Sequence, residues 1–203
     1  MQITHRWIDR DLSRLELVVA WSIILLLIGL FARYMLIVFA RAEQSMVNRM
    51  IININASLKY KAVFFIIKED YRALARLGDI NPMNTMQGDQ IEELLKEGAI
   101  TAKQVTPGYI SSIKPANYIG ELDAPDPDHV QKGVWYYDTR SRELIYIIRN
   151  GEFFNGSQQG TPRLRFKVEV EYIDNNGNGK FDPPTDTYKS VHIVNLDHYK
   201  WVP

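Results

Sequence analysis

The 203-residue sequence predicts an α+β fold, a long N-terminal helix that spans a membrane with its first half and packs on a small antiparallel sheet. Three observations predict it. An apolar stretch runs from Leu17 to Ala40; a segment free of Gly and Pro follows, from Arg41 to Leu77; and four short runs rich in aromatic and β-branched residues lie towards the C-terminus. The boundaries are a leader-like cytoplasmic segment over 1–11, a transmembrane helix over 12–40, its extension outside the membrane over 41–80 and a small α+β domain over 81–203.

The span comes first. Between Leu17 and Ala32 the only hydroxyl is Ser22 and nothing is charged; Arg33 interrupts, and Tyr34 to Ala40 is apolar again. As a helix this stretch is long enough for a hydrocarbon core of about 30 Å. A secretory signal peptide would have a shorter apolar region and a small-residue cleavage site. Here Tyr34, Met35, Leu36 and Ile37 continue the run instead, so the expectation is a retained anchor. Arg6, Arg10 and Arg14 precede the span and favour a cytoplasmic N-terminus, although Arg41, Arg49 and Lys59 follow it. Lys and Arg number 24, and so do Asp and Glu, which leaves no global basic footprint for nucleic acid. The sequence holds no cysteine, which excludes disulfides and thiolate chemistry.

Beyond the span, Met46, Met50, Ile54 and Leu58 recur four apart and suggest one helix face, with Arg41, Glu43, Asn48, Asn53 and Asn55 largely off that line. Gly78 and Pro82 read as stop signals, giving one continuous helix from about Leu12 to Leu77, roughly 100 Å long. Gln90 to Lys96 has helical spacing. Val134 to Tyr137 and Glu143 to Arg149 read as a hairpin; Leu164 to Tyr172 alternates apolar and charged; Tyr188 to Leu196 is a fourth strand candidate. So few strands bury little alone, and the apolar stripe of the helix is their natural cover, with Trp135 in the core between them.

Three segments carry a resemblance to a family. Asp11 is followed by Leu12, Ser13, Arg14, Leu15 and Glu16 and then by "LVVAWSIILLLIGL"; "NPM" stands at Asn81 to Met83; and "KPANYIGELDAPDP" precedes "GVWYYDTRSRELIYIIRN". In this order they resemble type IV pilins and type II secretion pseudopilins, and proteins of mannose-sensitive haemagglutinin-type pilus systems in particular. The resemblance implies a structural or assembly component, not an enzyme. It places the chain as a single-pass protein of the bacterial inner membrane with its C-terminal domain in the periplasm, and it makes other pilin or pseudopilin subunits the partners of the N-terminal helix. It implies processing between Asp11 and Leu12, and a role for Glu16 in pairing with the N-terminal amine of a neighbouring subunit; the alternative for Glu16 is a solvated carboxylate at the membrane edge. Asp11 departs from the family's Gly, Leu12 from its Phe, and Arg14 is charged where an apolar residue is usual. These departures imply a poorly cleaved or uncleaved chain, hence the alternative of an anchored assembly factor. An anchored periplasmic binding protein is the remaining reading.

The sharpest local motif is "DNNGNGKFDPPTD". Asp174, Asn176, Asn178, the Lys180 carbonyl and Asp182 place oxygens at the spacing of the first part of an EF-hand-like calcium loop, with Gly179 at the sharp turn. Thr185 stands where the loop's bidentate Glu belongs, and Asp186 is one residue further on. Calcium is the expected ion; the alternative is a polar turn rich in Asn and Gly. Pseudopilins often carry calcium in a late loop, so the resemblance implies the same ion. His5, His129, His192 and His198 are scattered and suggest no catalytic cluster.

Overall fold

The computed structural model describes residues 14–86, 114–156 and 160–201, and the chain divides into two compact units, Met1–Phe39 and Ala40–Pro203. Asp11, Leu12, His5 and the expected short helix at Gln90 to Lys96 lie outside the described residues. Helix α1 covers Arg14–Ile67. The fold class is α+β, as the sequence predicts: this long N-terminal helix accompanied by a small, mostly antiparallel sheet.

In the first unit every described residue from Arg14 to Tyr34 is exposed, including Leu25, Phe31 and Trp21. A helix that is apolar all round and covered by none of the described residues has the surface of one that lies in lipid or among other apolar helices. It is long and apolar enough to cross a membrane. Ser22 satisfies its hydroxyl by donating to the Val18 carbonyl at 2.8 Å, so the one hydroxyl of the run costs little in an apolar surround. Glu16 lies in the first turn, where the helix dipole favours an anion.

In the second unit α1 buries Ala40, Glu43, Val47, Ile54, Ser57, Leu58 and Ala62. This corrects the expected stripe. Met46 is exposed, Met50 is only partly buried and Val47 is buried. A strict four-residue step drifts about 40° per step around a helix of 3.6 residues per turn, so a row from Met46 to Leu58 leaves any fixed face; steps of three and four together stay on it.

The helix also ends earlier than expected, at Ile67 rather than Leu77. Glu69 takes φ 55°, and its N–H and that of Asp70 return to the carbonyls of Ile66 and Phe65, at 3.1 and 2.9 Å. That is a Schellman-type cap with Glu in the position usually given to Gly, so no local signal announced it. Asp70 then caps α2 (Tyr71–Ala75) by accepting from the Ala73 N–H at 3.0 Å.

Among the described residues seven strands follow: β1 Tyr118–Leu122, β2 Trp135–Asp138, β3 Glu143–Ile147, β4 Phe154–Gly156, β5 Arg163–Ile173, β6 Thr187–Asn195 and β7 Tyr199–Trp201. The main sheet has the order β1-β2-β3-β5-β6, and β4 pairs with β7 separately. Four strands match the sequence-based expectation and three were not foreseen. One pair departs from the antiparallel rule: β1 runs parallel to β2, Tyr118 opposite Trp135 and Leu122 opposite Asp138. The connection of about a dozen residues between them supplies the crossover that a parallel pair needs. Gly120, at φ 110°, absorbs the register shift between Tyr118 and Glu121.

The core lies between α1 and one face of the sheet. Trp135 is fully buried there, its ring 4.8 Å from Tyr146 and 5.9 Å from Phe166, with Ile54, Leu58, Met83 and Leu164 in the same cluster. Asn81, Pro82 and Met83 tie the layers. Asn81 accepts from the Met83 N–H at 3.0 Å and donates to Tyr118 Oη and Glu121 Oε1 at 2.8 and 2.7 Å. Ser57 on α1 hydrogen-bonds Thr85 Oγ1 at 2.7 Å. Asn55, expected off the buried line, accepts from the Ile193 N–H at 2.8 Å and so satisfies a backbone donor of the edge strand β6. On the far side of the sheet Tyr136, Ile145 and Ile147 form a smaller apolar cluster with Leu122 and Val130.

Candidate functional site

The candidate metal loop joins β5 to β6. Those strands pair from Phe166 opposite Asn195 to Ile173 opposite Thr187, with a register shift between Glu171 and Tyr172, so the hairpin holds both ends of residues 174–186. Phe181 anchors the loop to the strands, with its ring 5.1 Å from Tyr172 and 6.4 Å from Tyr188. Burial among these rings pushes the Tyr188 phenol up to about 12.

Asp174 organises the first turn. Its two oxygens accept from the backbone N–H of Gly177 at 2.6 Å and of Gly179 at 2.7 Å. These bonds, that from Gly179 foremost, hold its carboxyl below the ordinary aspartate value. Gly177 and Gly179 both take φ 73°, where a side chain is strained, which gives the alternation of Asn and Gly a conformational reason. Asn176 and Asn178 accept from the N–H two residues on, Asn178 and Lys180, at 3.0 and 2.7 Å, as turn-forming Asn does. The Asn178 amide donates to Asp182 at 2.5 Å.

Asp186 behaves differently. It is buried, and its two oxygens accept from the N–H of Asn175 at 3.0 Å and of Asp182 at 2.8 Å. It braces the loop from its base. Asp174, Asn176, Asn178, Lys180 and Asp182 therefore share one turn, with Asp186 beneath it. Among the described residues no group of three or more His, Cys, Asp or Glu side chains is arranged to hold a metal, so an ion here would depend on the amide and backbone oxygens as well as the carboxylates. His129 pairs with Asp126 at 2.8 Å, and His192 on β6 lies 4.0 Å from Glu171 on β5.

Sequence reasoning missed a buried, heavily bonded carboxylate. Glu43, on α1 and 7% exposed, accepts from Tyr146 Oη at 2.8 Å, the Arg149 N–H at 2.6 Å, the Asn150 N–H at 2.9 Å and the Asn150 amide at 2.6 Å. It fastens α1 to the end of β3 and the turn beyond. Burial first, and then the Glu43 charge, push the Tyr146 phenol far up, so it stays a donor. The only clue in the sequence was its spacing: Glu43, Val47, Ile54 and Leu58 share a face once steps of three and four are mixed.

No protein-family model, no curated protein and no solved structure matches this chain. What stands is the architecture itself, a long apolar N-terminal helix and a small sheet, in the second unit packed on the outer part of that helix.

Proposed function

We propose that this protein is a structural subunit of pilin or pseudopilin type, anchored in a bacterial inner membrane with its sheet domain in the periplasm, and that it serves a type IV pilus or type II secretion assembly. The observation that carries the reading is α1: bare and apolar over its first half, and over its second half built into a small sheet domain through one face. Such a helix gives an assembly a lipid-soluble shaft, and the domain gives it a surface. Glu16, in the first turn, is the group we assign to contact with a neighbouring subunit's N-terminal charge. Asp11, where the family has Gly, favours a second reading, an uncleaved assembly factor that stays in the membrane.

Intact mass and N-terminal sequencing of the protein from its native membrane, with a search for it in sheared filaments, separate the two. A chain beginning at Leu12 and found in filaments is the expected result for a subunit. A chain beginning at Met1 and absent from filaments moves the assignment to the assembly factor. Absence of any effect of gene deletion on pilus or secretion output removes both.

Calcium belongs to the same proposal. The donors are hard oxygens of the kind calcium takes, and Gly177 and Gly179 give the turn its curvature. Asp174, Asn176, Asn178 and Asp182 with the Lys180 carbonyl would hold the ion, while Asp186 braces the loop. Bound there, calcium would neutralise the Asp174 and Asp182 carboxylates and cross-link the turn. Saturating calcium should raise Tm of the full chain in detergent by about 5–10 °C over chelator, as mass action predicts for a ligand well above its Kd. Asp174→Asn combined with Asp182→Asn should abolish that rise. An unchanged wild-type Tm means a polar turn and no ion.

A further inference from the structure

Two of the chain's four Asn–Gly pairs follow each other in the loop between β5 and β6, as Asn176–Gly177 and Asn178–Gly179; the others are Asn150–Gly151 and Asn155–Gly156. The two pairs in the loop are exposed to water. An asparagine followed by glycine is open to a reaction that needs no enzyme. The glycine nitrogen attacks the side-chain carbonyl carbon Cγ, the new C–N bond closes a cyclic imide, and Nδ2 leaves as ammonia with the proton that the glycine nitrogen gives up. Water then opens the imide at either carbonyl, leaving Asp or iso-Asp. Glycine permits the attack because no Cβ shields its nitrogen.

Both pairs are set up for this closure. Asn176 Oδ1 accepts from the Asn178 N–H at 3.0 Å, and Asn178 Oδ1 from the Lys180 N–H at 2.7 Å. Each bond closes a ring around the intervening glycine nitrogen, which folds the asparagine side chain over it and polarises the carbonyl to be attacked. Yet the nitrogens themselves are held. The Gly177 N–H donates to Asp174 Oδ1 at 2.6 Å and the Gly179 N–H to Asp174 Oδ2 at 2.7 Å, so one carboxylate occupies both nucleophiles, one oxygen each. Attack requires the nitrogen to shed its proton and turn towards Cγ. The hydrogen bond opposes the turn, and the carboxylate's charge opposes the negative charge that the nitrogen would take on. The other two pairs are held differently. Asn150 gives its side-chain amide to Glu43 at 2.6 Å, and Asn155–Gly156 is extended in β4 and paired with β7.

We infer that Asn176–Gly177 and Asn178–Gly179 form a modification site for spontaneous deamidation, primed by their own side-chain turns and held in check by Asp174 as a positioning residue. Each event exchanges the amide NH2 for an oxygen and adds one negative charge close to Asp174 and Asp182. The inference goes beyond the proposed function: it concerns the covalent chemistry of the loop and stands whether or not the loop takes calcium.

The test incubates the full-length chain in detergent, in mildly alkaline buffer with chelator throughout. Peptide mass spectrometry with electron-transfer fragmentation, which distinguishes iso-Asp from Asp, follows each Asn–Gly pair. Asp174→Ala should speed conversion at Asn176 and Asn178 by about 10- to 100-fold, the rate equivalent of a hydrogen bond to a charged group. Asn150 and Asn155 should keep their wild-type rates. Asp174→Asn, which keeps the shape of the side chain and removes its charge, should give a smaller increase at the same two positions. Asp186→Asn loosens the base of the loop and leaves Asp174 in place, and should change these rates little. Circular dichroism melts of each variant show that the fold is retained. Conversion at Asn176 and Asn178 that both Asp174 variants leave unchanged or slow, that rises equally at all four pairs, or that Asp186→Asn raises as far, each overturns the inference.

Discussion

Glu43→Ala should lower the unfolding free energy of the full chain in detergent by about 3–5 kcal/mol, the range for stripping a buried, hydrogen-bonded charge from its partners. Four donors converge on this carboxylate, and alanine leaves Tyr146 Oη, the backbone N–H groups of Arg149 and Asn150 and the Asn150 amide without their acceptor. Each buried orphan costs about 1–3 kcal/mol. Tyr146 is almost wholly buried, whereas Asn150 is half-buried and water reaches it, so the total falls short of four full penalties. Glu43→Gln separates charge from shape. Its carbonyl still accepts from two donors, but its NH2 meets donors on Asn150, and about half the loss should remain. Urea unfolding followed by tryptophan fluorescence measures both. A loss below about 1 kcal/mol for alanine would mean that water replaces the carboxylate and that α1 is fastened to β3 by apolar contact alone.

That fastening shows where the sequence was legible and where it was not. The apolar first half of α1 was legible because an uninterrupted run of that length without Pro or charge reads as one long helix. Strands β2 and β3 were legible from their aromatic and β-branched residues, and β5 from its alternation, Leu164, Phe166 and Val168 inward against Arg165, Lys167 and Glu169 outward. Strand β1 was not: Gly120 breaks its period, and its parallel partner is set by a crossover rather than by a turn motif. Strands β4 and β7 have three residues each, too few to show a period, and they hold together through Phe154, Tyr199 and Trp201. The end of α1 was missed because Glu69 takes a backbone conformation that a glycine normally marks. Glu43 was missed because a charged residue on an amphipathic helix is read as solvent-facing, and only the tertiary partners reverse that.

The loop between β5 and β6 was legible in place but not in detail. Oxygen spacing located Asp174 to Asp186, yet spacing treats every carboxylate alike. In the fold Asp186 is buried under two backbone N–H groups, while Asp182 is exposed and accepts from the Asn178 amide. Burial divides one row of acids into a brace and the outward-facing groups of the turn, a division that no one-dimensional pattern contains.

Trp135→Ala should cost about 3–5 kcal/mol, the range for deleting a fully buried aromatic side chain. Trp135 is completely buried at the middle of the layer between sheet and helix, against Tyr146 on β3 and Phe166 on β5. Alanine would leave a cavity whose walls belong to three separate strands, and strands fixed by their own ladders collapse little into a void. Trp135→Phe keeps most of the volume and should cost about 1–2 kcal/mol, closer to a size change than to a deletion. Its neighbour in the chain provides the contrast. Tyr136 points to the other side of the sheet, is as deeply buried, and has a hydroxyl without a hydrogen-bond partner among the described residues. Tyr136→Phe removes that unsatisfied group and should be neutral or slightly stabilising. Two adjacent aromatic residues thus report on two different layers. A clear loss on Tyr136→Phe would mean instead that the hydroxyl has a hydrogen-bond partner. If Trp135→Ala costs as much as expected, the sheet depends for its stability on the layer it shares with Ile54 and Leu58 of α1.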